Sequence, residues 1–182
     1  MIEFNQKIIH RAFEPEDYRK TFQLRMQDSD VYKTADINIS DSFESEKKWI
    51  NSVIILHENG GEIRLIIEEE LKKNLFGIIS LINIDHVNRS AEFEAIVDKY
   101  FYVKGYFKKS VYLLLKYAFN ELGLNRISVK ISEKNIKFSK NFETLGFVKE
   151  GVLINALNSN GHFQNIHVYS ILKSEYEAIQ IE

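Results

Sequence analysis

Between Glu92 and Leu122 the apolar period of the sequence changes, which limits the chain to folds that pass a strand through a short loop into a helix. Phe93, Ala95 and Val97 alternate with Glu92 and Glu94, so the strand has one apolar face and one carrying paired carboxylates. Val111, Leu114, Leu115, Ala118, Phe119 and Leu122 then recur at offsets of three, four, seven, eight and eleven. That spacing is an amphipathic helix, stopped near Gly123. The loop between, Lys99 to Phe107, delivers the chain to a helix start, where unpaired backbone N–H groups and the positive dipole end form a seat for a pyrophosphate. Lys104, Lys108 and Lys109 add charge there. The same lysines also read as an ordinary solvated helix start, because only Gly105 supplies backbone freedom.

The rest of the chain extends this pattern. A short strand is expected within Lys7 to Phe13, and Glu14-Pro15-Glu16-Asp17 opens a helix through about Met26, with proline and acids where a first turn tolerates them. Asp41 with Glu44 resembles a capping box, and Phe43, Trp49, Ile50, Val53 and Ile54 give the stripe of a second helix ending near His57 to Gly61. Strands follow at Glu62 to Glu68, Leu75 to Ile84 and Ala91 to Val97. Beyond the central helix come a strand at Arg126 to Ser132, a helix over Ile136 to Leu145 closed by Gly146, and two strands near Phe147 to Leu157 and His162 to Leu172. The order is β-α-α-β-β-β-α-β-α-β-β.

Length and composition bound what such a chain does. Its 182 residues suit one domain, read as residues 1–182, and no Pro/Gly/Ser-rich linker divides them. Lys plus Arg is 24 against 26 for Asp plus Glu, a net charge of -2, which supplies no basic field for a phosphate backbone, so nucleic acid is not expected as a partner. With no cysteine, thiolate nucleophiles, disulfides and Cys-based zinc sites are excluded, and a cytoplasmic setting is expected. Glu3, Asn5, Gln6 and Lys7 break any signal-peptide run, and apolar stretches such as Gly77 to Ile82 are far shorter than the roughly 20 residues a membrane helix needs, so no membrane partner is expected. The five histidines show no metal spacing, and no metal is assigned.

Several segments together carry a resemblance: His86 to Phe93, Tyr102 to Phe107, Tyr117 to Ile127, Glu143 to Gly151, and the closing stretch Asn160 to Asn165 before Tyr169-Ser170-Ile171-Leu172. They resemble the GNAT acyl-CoA N-acyltransferase superfamily, in the branch of ribosomal-protein N-terminal acetyltransferases and spermidine acetyltransferases. The likeness covers about Lys7 to Tyr176. It implies an α/β (α+β) GNAT fold: a mixed, mostly antiparallel sheet of about six to seven strands flanked by about four helices. It also implies acetyl-CoA as co-substrate, with backbone amides of Val103, Lys104, Gly105, Tyr106, Phe107 and Lys108 on its pyrophosphate. Main-chain groups of Ala95, Ile96 and Val97 would receive the pantetheine, with Asn135 near that arm and an oxyanion-stabilising N–H from the same strand.

This sequence departs from the family's pattern at defined places. In the phosphate loop Q/R-x-x-G-x-G/A, Tyr102 stands for Gln or Arg, Gly105 is kept, and Phe107 takes the small-residue position. Phe138 stands where Ser or Ala is common, and Phe142 where many relatives carry a tyrosine that protonates the leaving thiolate. A phenyl ring has no proton to give, so the acid would come from Ser139, Tyr102, Tyr106 or water. Asn165 replaces a frequent Asp.

Acyl transfer to an amine needs the neutral amine. With an ammonium pKa near about 10.4, only on the order of one molecule in 2,000 is neutral at pH 7, a cost of roughly 4.6 kcal/mol unless a base assists. Glu92 and Glu94 are the candidate bases; on an open face they would simply be solvated. Acids before the first sheet strand, Asp28, Asp30, Asp36, Asp41 and Glu44, with Tyr32, lie where this fold closes over the acceptor, and read equally as a polar loop and helix cap. Trp49 fits the core stripe.

The leading expectation is an acyl-CoA-dependent N-acetyltransferase acting by direct attack of a primary amine, such as a polyamine or a peptide N-terminus. The alternative is a non-catalytic binding or regulatory module of the same fold, its donor cleft filled by Phe107, Phe138 and Phe142. Exposed strands in the C-terminal hairpin allow a homodimer.

Overall fold

A computed structural model describes residues 8–26, 31–33, 42–103, 105–159 and 161–179. Lys104 and the acids Asp28, Asp30, Asp36 and Asp41 lie outside the described residues. The strands are β1 (Ile8–Arg11), β2 (Val31–Lys33), β3 (Ile63–Glu69), β4 (Leu75–Asp85), β5 (Ser90–Asp98), β6 (Arg126–Ser132), β7 (Val148–Ser159) and β8 (His162–Leu172). The helices are α1 (Tyr18–Met26), α2 (Phe43–Glu58), α3 (Lys99–Val103), α4 (Tyr106–Lys116), α5 (Ile136–Thr144) and α6 (Lys173–Ile179).

The sheet runs β1-β3-β4-β5-β6-β8-β7, with β2 added against β5. The pairing of β5 with β6 is parallel and the other pairings are antiparallel, so the expected mixed, mostly antiparallel architecture is what forms. A parallel neighbour cannot be reached by a tight turn, and the amphipathic α4 is the connection that carries the chain across.

Alternation along the strands separates two apolar layers. Ile67, Ile79, Phe93, Ala95 and Val97 face the layer under α4 and α5, built on Val111, Leu114, Leu115, Phe119, Phe138 and Phe142. Ile66, Ile78 and Ile96 face the opposite layer, where Phe13, Leu24, Ile50 and Val53 pack from the first turns and α2. Each fully buried side chain of this size contributes about 1.5–3 kcal/mol of transfer free energy.

Short elements differ from expectation. The loop Lys99 to Phe107 contains the helix α3; β2 and α6 were not expected either. All three are at most seven residues long, too short to show a period. The end of the central helix widens into a π turn at Tyr117–Glu121. The start of α2 is set by Ser42, whose hydroxyl accepts from the Ser45 amide at 3.2 Å, one residue beyond the Asp41 suggested by the capping pattern. The opening acids serve a further purpose: Asp17 is buried, holds the Glu14 amide at 2.8 Å, and pairs with Arg11 at 2.7 Å, while Arg11 reaches Glu68 at 3.0 Å.

Gly146 closes α5 with a φ of +90°, and a Cβ there would stand 2.2 Å from Ile179 Cδ1 on α6. Gly146→Ala is therefore expected to cost about 1–3 kcal/mol in urea unfolding, from overpacking and left-handed strain together. Gly151→Ala, whose Cβ would meet nothing within 4 Å, is the matched control. Equal midpoints for the two variants would refute this account of the α5–α6 contact.

Candidate active site at the β5–β6 divergence

The parallel pairing of β5 and β6 covers Ser90–Phe93 against Arg126–Val129. Beyond it the strands part: β5 stays with β4 as far as Val97↔Gly77, while β6 stays with β8 as far as Ser132↔Ile166. β2 then takes the edge of β5 that β6 leaves, at Ile96, Val97 and Asp98, opposite the edge held by β4. The main chain of Ile96 and Val97, expected to receive an extended arm, is thus paired with β2.

On one face of this divergence lie the carboxylates. Glu92 and Glu94 share a face, as the alternation predicts, but each has a cationic partner. Glu92 pairs with Lys130 of β6 at 3.1 Å, and Glu94 with Arg64 of β3 at 2.8 Å. Arg64, Ser80 and Glu94 form a row across β3, β4 and β5, set by the register Arg64↔Ser80 and Ser80↔Glu94. Arg64 also binds Glu62 at 2.7 Å. Glu94 is only 8% exposed, and burial pushes its pKa up, with the Arg64 charge and hydrogen bond pulling back.

The same face holds groups that the sequence reading missed. Arg25 of α1 and Glu46 of α2 form a buried pair at 3.1 Å, and the Arg25 guanidinium stands 3.9 Å from the Trp49 ring centroid. Arg64 approaches that ring at 5.7 Å, and Phe13 meets it edge-on at 5.6 Å. Trp49 is therefore more than part of a core stripe: it joins the two arginines into one charged and aromatic wall beside Glu94. The available signal was Arg64 itself, a cation between the apolar Ile63 and Leu65 of β3 and on the Ile66 side.

The other face is aromatic. Phe107 lies in the first turn of α4 and Phe138 in the first turn of α5; both are fully buried, with ring centroids 5.0 Å apart. Tyr102 of α3 lies 5.6 Å from Phe107 and 5.9 Å from Phe138, and Phe142 is 5.4 Å from Phe93, the last residue of β5 paired with β6. The Tyr102 hydroxyl donates to the Lys137 carbonyl at 2.5 Å and accepts from the Asn141 amide. This clasp ties the loop before α4 to α5, and the rings beneath it fill the wedge between the two helix starts.

The remaining candidates sit around that wedge. Gly105 is the N-cap of α4 with φ +78°, and open space surrounds its Cα, so glycine is needed there for conformation. Behind it, the first-turn N–H groups of Tyr106, Phe107 and Lys108 have no intrahelical acceptors. Tyr106 stacks on Phe101 at 5.7 Å. Asn135 begins α5, its amide bonded to the Ser132 carbonyl at 2.8 Å. Ser139 donates to the Ile136 carbonyl at 2.9 Å, and the buried Tyr169, whose pKa is raised by burial, donates to Glu143 at 3.3 Å. Asn165 donates its backbone and side-chain amides to the two oxygens of Glu133, both at 3.0 Å. An aspartate there would oppose that carboxylate.

A family model described as an acetyltransferase (GNAT) domain matches residues 7–148. The spermidine N(1)-acetyltransferase of Vibrio cholerae is 34% identical over 136 residues, 75% of this chain and 76% of that protein. A Bacillus subtilis protein provisionally named a ribosomal N-acetyltransferase is 31% identical over 180 residues, 95% of each chain. Among solved structures, a chimera of the V. cholerae spermidine N-acetyltransferase superposes with a TM-score of 0.82 at 29% identity, covering 93% of this chain and 98% of its own. A dodecameric form of the V. cholerae enzyme gives 0.78 at 29% identity, covering 94% and 97%.

Removing the Arg64 partner exposes the cost of the buried carboxylate. Because burial raises the Glu94 pKa, the stability linked to its proton is full below the ordinary carboxylate value near about 4.3 and is lost as pH climbs through the raised one. Arg64→Met should therefore destabilise the fold by about 3 kcal/mol at pH 8, where Glu94 stays ionised without its guanidinium, and by clearly less at pH 4. Urea unfolding at the two pH values measures this; a loss independent of pH would contradict it.

Proposed function

The chain belongs to the GNAT acetyltransferase family, and from that footing we propose that it transfers the acetyl group of acetyl-CoA to a primary amine by direct attack. It is an N-acetyltransferase. The observation that carries the reading is the divergence of β5 from β6 with Glu94, buried and raised in pKa, on one face and the start of α4 at its open end. Such a gap presents a strand edge to an extended arm and a helix start to a diphosphate.

In this reading the backbone amides of Val103 to Lys108 hold the pyrophosphate, Ala95, Ile96 and Val97 take the arm, and Asn135 lies beside it. The arm takes the place of β2 along Ile96 and Val97, and the Tyr102 clasp opens so that Phe107 and Phe138 make room. Acetyl-CoA brings the activated thioester. The chain's own contribution is proton transfer and charge stabilisation. Glu94 or Glu92, directly or through water, takes the proton that the ammonium must lose; a β5 N–H stabilises the oxygen of the tetrahedral intermediate, and the departing thiolate takes its proton from water. A base whose pKa lies above the ordinary carboxylate range is closer to the operating pH and more effective.

A small amine is the acceptor class best supported, because the relatives from V. cholerae and Escherichia coli are spermidine acetyltransferases. A peptide N-terminus is the other class retained. In this reading the chain works as one acyltransferase domain over residues 1–182, in the cytoplasm. Exposed Val152, Leu153, Ile154 and Phe163 on the β7–β8 hairpin support a homodimer through that surface.

The test is acetyl-CoA titration followed by spermidine acetylation read as thiol release. Donor at 100 times its dissociation constant should stabilise the fold by about 2.7 kcal/mol. If Glu94 is the base, Glu94→Gln should lower kcat/KM by roughly 10²–10⁴ and abolish the acidic limb of the pH profile; the same loss in Glu92→Gln would assign Glu92. No thermal shift at millimolar donor would favour the non-catalytic module, and full activity in both variants would remove the carboxylates from the mechanism.

A further inference from the structure

A cavity of about 290 Å³ lies towards the other end of α4 from the proposed diphosphate seat. Its walls are aliphatic: Ile63 and Leu65 of β3, Ile79 of β4 and Leu114 of α4. Leu113 and Tyr117, both substantially exposed, stand at its rim. Two imidazoles, His10 from β1 and His57 from the last turn of α2, and the buried Ser110 of α4 interrupt this surface. His10 Nε2 and His57 Nδ1 are buried and have no hydrogen-bond partner among the described residues.

Three observations restrict what this cavity takes. Its lining contains no carboxylate, lysine or arginine, so an ammonium would find no counter-charge and a carboxylate no lysine or arginine. Burial lowers the His10 pKa, which keeps that ring neutral at physiological pH. Buried polar nitrogens are normally partnered, so two unpartnered ones on residues that line a mostly apolar space call for a ligand group that can donate and accept at once. A hydroxyl does both, whichever ring nitrogen carries the proton. An apolar cavity of about 150 Å³ holds benzene, so this one has room for a larger ring system or a medium-length alkyl chain.

We propose that this cavity is a binding site for an uncharged, mostly apolar alcohol or phenol, its hydroxyl held between His10 and His57. The site is separate from the charged wall around Glu94 and independent of the acetyl-transfer reading. It is tested on the full chain, labelled at histidine, by titrating 2-naphthol and naphthalene and following the imidazole NMR resonances together with calorimetry. The expected result is saturable one-to-one binding of 2-naphthol that moves both His10 and His57 signals, with naphthalene at least tenfold weaker. Leu113→Trp at the rim should abolish binding while the fold persists, and His57→Leu should bring the two affinities to within about twofold. Equal affinity for both probes in the wild-type chain, or no saturable histidine shift up to the solubility limit, overturns the proposal. So does a concentration-dependent shift of the same signals in ligand-free protein, which would show that a second copy covers this face.

Discussion

The contact that the rest of the structure depends on is the parallel pairing of β5 with β6, four residue pairs long. Each strand is held more extensively by another neighbour, β5 by β4 and β6 by β8. Those antiparallel partners continue past Phe93 and Val129, and with strands that twist, the two cannot follow diverging neighbours and remain paired to each other. The gap is therefore enforced by the sheet. Its position decides what lies beside it: α4 starts beyond the end of β5, and α5 starts beyond the end of β6.

The two faces of the gap obey different energetics. On the α4 face, Phe107, Phe138 and Phe142 place large rings where the family uses small or hydroxylated residues, so a groove becomes part of the core and adds apolar burial. Opening it for a pantetheine arm must be offset by the interactions the donor makes. On the α2 face, charge is taken out of water. Arg25, Glu46, Arg64 and Glu94 are individually expensive to bury and are tolerable because each is paired, with Trp49 lying against both guanidiniums. A carboxylate held in this way has its pKa raised by burial while it keeps its guanidinium partner.

Much of the fold was legible in the chain. The offsets of Val111 to Leu122, the alternation in β5, the strand segments read for β3 and β4 and the stop at Gly146 each reflect a local rule, and the corresponding elements form within a few residues of the expected bounds. The pairing of Glu92 and Glu94 on one face followed from the same alternation. Elements of three to seven residues were not legible: β2 exists through its pairing with β5, and α3 is fixed from outside, by Phe101 stacking on Phe76 and by the Tyr102 bond to Lys137. The resemblance to the family identified Phe107, Phe138 and Phe142 as departures. It did not show that their rings pack on one another.

By itself the sequence determined which residues lie on which face and where helices start and stop, because those depend on spacing over a few residues and on local backbone preference. The tertiary structure alone decided the partners. Arg64 meets Glu94 across 30 residues and Tyr102 meets Lys137 across 35, through strand register and helix placement that no local period encodes. The reason is physical: a period fixes the direction of a side chain relative to its own element, while the charge or ring it meets depends on how separate elements align, which the packing of the whole core settles.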